Sequence, residues 1–151
     1  MQEDFVDRRH QAEVVCFLEA HRAAIAELVE KAYLQAGGHY AQMSAGGRRE
    51  QAERDAEEIV AHICAGEISA EAIEASIRAI PSLAILNDVM HMAEAIERLT
   101  MIYLRQQLAD DPDLCREVVH RASNTSRRFR VSVSTVYAER VRARLADSSQ
   151  A

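Results

Sequence analysis

Six histidines, His10, His21, His39, His62, His91 and His120, are the side chains in this sequence best suited to ligate a metal or carry a phosphoryl group. No two stand three or four residues apart, so no single helix can turn a histidine pair toward one ion, and no His-Glu-x-x-His run occurs. A carboxylate-bridged metal pair in a helix bundle takes a Glu-x-x-His motif from each of two helices. The nearest approach is Asp88-Val89-Met90-His91, which has Asp in place of Glu and no second copy. None of the six histidines precedes a Lys-Gly sequence of the kind phosphotransfer modules use. The paired carboxylates Glu57 and Glu58 fall on the outward side of an amphipathic segment, where solvation accounts for them. Ser123, Ser126, Ser132 and Ser134 have no partnered base. Cys16, Cys64 and Cys115 form no C-x-x-C pair and lie among apolar positions, where a free cysteine acts as a small hydrophobe. The sequence therefore offers no catalytic residue, no metal site and no cofactor site, and reads as a non-enzyme.

The elements that would position these residues are helical. The organising stretch is 81–108, PSLAILNDVMHMAEAIERLTMIYLRQQL. Its polar residues Asn87, His91, Glu94, Arg98 and Arg105 fall on one narrow line, and apolar residues cover most of the rest. That pattern describes a helix packed against several neighbours. Pro81 suits its first turn, where a missing N–H costs nothing. Upstream, 4–36 reads as one long helix, with a possible break near Arg8 to His10. Val14, Leu18, His21, Ile25, Leu28 and Ala32 line it, and Gly37-Gly38 ends it. Residues 37–47 read as a glycine-flanked loop without a phosphate-loop pattern. A second helix is expected over 48–65, with Arg48, Glu50, Glu53, Arg54, Glu57 and Glu58 outward, closed by Gly66. Ser69 is the expected N-cap of a short helix ending near Ile80.

After the break at Ala109-Asp110-Asp111-Pro112, a last helix is expected over 113–146. Val131, Val133 and Tyr137 alternate with serines as a short strand would, but a lone strand has no partner here, so the helix is kept. At about 33 residues it would be roughly 50 Å long, whereas a compact chain of this size spans about 38 Å. Its end, 138–151, is expected to project as a helix end and linker. The fold expected is one all-α domain over 1–151. Hydrophobic content of 48%, five Gly, two Pro and no Trp suit an aliphatic bundle better than a turn-rich β architecture. No run of 18 apolar residues and no apolar leader segment occurs, which predicts a cytoplasmic chain without membrane contact.

Charge is divided unevenly. Residues 114–146 hold eight Arg against Glu117 and Glu139, a net of +6, so the remainder sums to −12 within the total of −6. A basic face for nucleic acid is one reading. The preferred one is that the basic helix answers acidic residues of the first two helices, within or between subunits.

Phe17-Leu18-x-x-His21-x-x-x-Ile25-x-x-Leu28 and Ile77-Arg78-Ala79-Ile80-Pro81-Ser82-Leu83, in this order of helices, resemble the N-terminal sensor domains of RsbR-type stressosome proteins, the RsbT co-antagonists. The resemblance spans most of 12–145. It implies a globin-like fold without haem, a dimer, and partnership with STAS-domain stressosome proteins through a continuation of the last helix. Two departures stand out: Ala79-Ile80-Pro81 replaces the Ile-Gly-apolar turn, and Glu74-Ala75-Ser76 stand where haem-binding sensor globins carry a proximal histidine. His62 could serve a haem only in a rebuilt pocket.

The reading is thus a non-enzymatic, homodimeric sensor domain whose output seam is Val133, Tyr137, Val141 and Leu145. The alternatives are a haem-binding gas sensor and a helical nucleic-acid or partner-binding regulator.

Overall fold

The computed structural model describes residues 2–66 and 70–150, with side chains for 10–66 and 70–149. Among these residues seven helices follow in order: α1 (Gln2–Ala20), α2 (Arg22–Ala36), α3 (Gly38–Ala41), α4 (Ala45–Ala65), α5 (Ala70–Arg78), α6 (Leu83–Gln107) and α7 (Pro112–Gln150). No strand occurs among the described residues, and 123–137 lies inside α7. The chain is all-α. No helix among the described residues is long and apolar enough to cross a membrane.

α6 is the central helix that its sequence pattern predicts. It packs on α7 along one side, on α2 along the other, and on α3 near its start. Leu86, Val89, Met92, Ala93, Ala95 and Leu104 are buried, and Asn87, His91, Glu94, Arg98 and Arg105 form the exposed line. Ile102 falls on that same line and is half exposed. Arg130 of α7 reaches Glu97 at 2.9 Å, and Ser134 lies beside Met90, so α6 and α7 run antiparallel. α2 is also antiparallel to α6, since His21 meets Tyr103 while His39 beyond its far end meets Asp88. One apolar cluster collects Val14, Leu18, Ile25, Val29, Tyr33, Val60, Ile63, Leu86, Leu104, Val118 and Val133 from five helices.

Several boundaries differ from the sequence expectation, each for a local reason. The long first helix breaks at His21 rather than near Arg8: His21 has φ −106° and ψ 8°, and its ring bonds Tyr103 Oη at 2.5 Å instead of joining the buried stripe. The 37–47 loop holds a short helix, α3, and α4 begins three residues before Arg48 because Ser44 Oγ accepts the Gly47 N–H at 3.1 Å. Arg48, expected to face outward, is half-buried and donates to the Met43 carbonyl at 2.7 Å. Pro81 precedes α6 instead of entering it, since Ser82 is the N-cap and accepts from Ile85 N–H at 3.1 Å. Pro112 is the proline that opens a helix: Asp111 Oδ1 accepts the Leu114 N–H at 3.2 Å. The expected Ser69 cap lies outside the described residues.

Gly38 shows how tightly the α2–α3 corner sits on α6. Its φ is +55°, and a Cβ there would meet the Asp88 carboxylate at 2.5 Å, the same group that accepts the His39 N–H at 3.0 Å.

Thr100 is buried, 4% exposed, and its hydroxyl has no hydrogen-bond partner among the described residues. Replacing a desolvated, unpaired hydroxyl by a methyl removes a cost without opening a cavity. Thr100→Val should leave the urea midpoint unchanged or raise stability by about 1 kcal/mol; a loss of that size would mean the hydroxyl is bonded in solution.

Candidate functional site

α7 carries the candidate site, and its 39 residues span about 58 Å. It does two things that the sequence left open: it completes the ends of two other helices, and then it runs past them.

The first helix end is that of α4. A helix leaves its last carbonyls without intrahelical donors. Gly66, at φ +74°, returns its N–H to the His62 and Ile63 carbonyls. Arg121 Nη1 adds donors to the Ile63 and Cys64 carbonyls at 3.3 and 3.2 Å, and Gln11 Nε2 bonds Cys64 at 2.6 Å. The guanidinium is itself fixed by Glu117 at 2.8 Å and Gln11 Oε1 at 2.7 Å. A cation at a helix C-terminus is also favoured by the macrodipole.

The second end is that of α5, which packs chiefly on α7 through Ile73 and Ile77. Arg140 donates to the Ile80 carbonyl at 2.5 Å and the Arg78 carbonyl at 2.8 Å. Arg78 in turn pairs with Glu139 at 2.9 Å and Glu74 at 2.6 Å. The Arg78 guanidinium holds the Glu139 carboxyl below its ordinary range. Arg140 thus clamps its own chain. The basic helix does not simply answer the acidic residues of α1, α2 and α4, where the first two expected helices lie, since Arg130 pairs with Glu97 on α6 and two arginines bind carbonyls.

The four expected interface residues separate. Val133 is fully buried within its own bundle, so it has no surface left for a subunit seam. Tyr137 is half-buried against the core, Val141 is half-buried, and Leu145 is 65% exposed. Residues 142–149 are all exposed, and 147–150, expected to be part of a linker, continue the helix.

The residues with chemistry do not converge. His39, His91 and His120 are exposed, while His10, His21 and His62 are half-buried. His120 bonds Asn124 at 3.2 Å. Among the described residues no group of three or more His, Cys, Asp or Glu is placed to hold a metal. Cys16 is exposed, against the expectation of an apolar setting, whereas Cys64 and Cys115 are half-buried. Two shallow depressions are open to solvent: one has Arg105 and Arg116 over Leu108 and Cys115, the other is edged by Glu50, Glu53 and Glu57.

One buried polar cluster went unread in the sequence. Tyr33 is fully buried, stacks on Tyr40 with ring centroids 4.8 Å apart, and donates to Asp55, which also accepts from Gln51 at 3.0 Å. Burial raises the Asp55 pKa, and the hydrogen bonds from Tyr33 and Gln51 oppose that rise. The cluster ties α2 to α4 and lies away from α7's free end.

No protein-family description, no curated protein and no solved structure matches this chain.

Two outcomes follow from this geometry. Arg121→Met keeps the aliphatic stem but leaves two carbonyls short of a donor, and should cost about 2 kcal/mol of stability. Arg140→Met, at a more open site, should cost about 1 kcal/mol, measured by urea unfolding; equal stability in both would reduce the clamps to surface contacts. Asp55, with its folded pKa raised, contributes stability in full below the ordinary carboxylate pKa, and that contribution falls as pH rises through the raised value. Asp55→Asn should therefore gain on the native chain as pH rises from about 3 to 7, read from urea midpoints. A pH-independent gap would show that Asp55 keeps its charge at no cost.

Proposed function

We propose that this chain is a non-enzymatic regulatory module, a globin-like helical sensor that works as a homodimer and passes its state on through α7. The single observation that carries the proposal is that α7 continues past the bundle as a bare helix, with 142–149 exposed, while upstream it holds the ends of α4 and α5. A helix fixed to several elements at one end and free at the other can convert a repacking of those elements into displacement of its tip. The long antiparallel α6–α7 pair preceded by the short α5 supports the globin-like part of the reading. The resemblance to RsbR-type sensor domains supports a downstream partner among STAS-domain stressosome proteins.

Light scattering on the purified chain tests the reading: a dimer is expected at tens of micromolar, on the order of a modest protein–protein affinity. Spin labels on the α7 tips should report one short inter-subunit distance that changes when the core is perturbed. A monomer at that concentration overturns the proposal. A Soret band in haem-supplemented protein, abolished by His62→Ala, would replace it with a haem-sensor reading.

A further inference from the structure

Of the large apolar side chains exposed among the described residues, two lie on α7: Val131, 59% exposed, and Leu145, 65% exposed. They are fourteen residues apart, which is two heptads. Between and after them, Ser134, Ala138, Val141 and Ser148 complete the spacing 3, 4, 3, 4, 3. Ser134 and Ser148 are exposed, and Ala138 and Val141 are half-buried. This line of small and apolar residues is the a/d pattern of a two-helix seam, and it follows the 3.5-residue repeat that keeps one face on a partner helix. It passes beside Val133, which points into the bundle. Tyr137 lies on its flank.

We infer that this line seats the same line of a second copy, with the two α7 helices parallel. The inference rests on the dimeric reading above and adds the seam, its register and its orientation. The two flanks of the seam decide the orientation. One flank carries Arg128, Thr135 and Arg142, all exposed. The other carries Tyr137, the exposed Arg144 seven residues on and, because Ser134 lies beside Met90 and Arg130 pairs with Glu97, the adjacent face of α6 with exposed Glu94.

In a parallel two-fold pair the first flank of each copy faces the second flank of the other. Arg142 then meets the Tyr137 ring of the partner, a cation–π contact, and Arg128 comes to the side of the partner that carries Glu94. An antiparallel pair would set the flank of Arg128 and Arg142 against the same flank of the other copy, a meeting of like charges that the parallel pair avoids. Parallel layers also set Val131 on Val131, Val141 on Val141 and Leu145 on Leu145, whereas antiparallel layers set Leu145 against Ser134 and Val131 against Ser148. The partner recognised is thus a second copy of this chain, and two tips emerge side by side.

The test uses the full chain, with disulfides mapped by mass spectrometry so that Cys16, Cys64 and Cys115 stay in place. Leu145→Cys should cross-link to itself under mild oxidation, and Ala143→Cys, on the opposite side of the helix, should not. Leu145→Asp, at a site exposed in the single chain, should weaken dimerisation at least about tenfold with helicity unchanged. Glu94→Arg should weaken it too, and mixing it with Arg128→Glu chains should restore assembly.

A dimer in which Leu145→Cys fails to self-cross-link while mixed Ser134→Cys and Leu145→Cys chains join overturns the parallel seam alone and leaves the dimeric reading standing. A dimer indifferent to Leu145→Asp likewise overturns the seam alone. A monomer overturns both.

Discussion

A helix that ends inside a bundle leaves carbonyl oxygens that water no longer reaches freely, and the fold must supply donors for them. Here α7 supplies them twice, from Arg121 to the end of α4 and from Arg140 to the end of α5. The two arginines are nineteen residues apart on one rod, so the rod fixes where both ends can lie. The α6–α7 packing and the α5 docking depend on the same placement; Glu117 keeps Arg121 aimed, and Glu139 ties α7 to Arg78 of α5. Guanidinium suits this work because its planar fork can bond two carbonyls at once, which a lysine ammonium does less well.

This use of arginine could not have been read from the sequence. A carboxylate partner is visible as a residue type, whereas a carbonyl acceptor exists at every position and becomes available only where a helix ends. The excess of arginine over 114–146 suggests acidic partners, and Arg130–Glu97 is such a pair to another helix, whereas Arg121 and Arg140 bond carbonyls. The exposed line of α6 was legible because a 25-residue helix repeats its pattern about seven times, so one misplaced residue such as Ile102 does not blur it.

Boundaries were less legible because several residues compete for each one. Ser82 and Pro81 both favour a helix start, and the serine that can bond the Ile85 N–H sets the first turn. Gly46 and Gly47 looked like loop, yet a cap at Ser44 outweighs two weak helix formers. The α7 face illustrates a different limit. Val131 and Val133 are both apolar, and two residues rotate about 200° around a helix. Which of them faces the core depends on where α6 lies, and nothing within α7 itself says that. The expected seam therefore takes in one core residue, Val133, beside the outward Val141 and Leu145.

The same geometry bears on how much of α7 can move. Upstream of Val136 the helix is buried on its inner face and tied to α4, α5 and α6, so a shift there must carry at least one of those contacts with it. Beyond Val141 no side chain is buried among the described residues. The junction between these regimes is the turn that holds Glu139 and Arg140, bonded to α5. α5 is short and packs chiefly on α7, so among the described helices it is attached by the fewest elements. A stimulus that repositions α5 therefore acts on α7 at the last turn before the free end, where a small rotation is not averaged out by further packing. Under the proposed sensor reading, transmission would need no cavity at the centre of the bundle; it would need only that the α5 clasp and the α7 tip share one rigid helix.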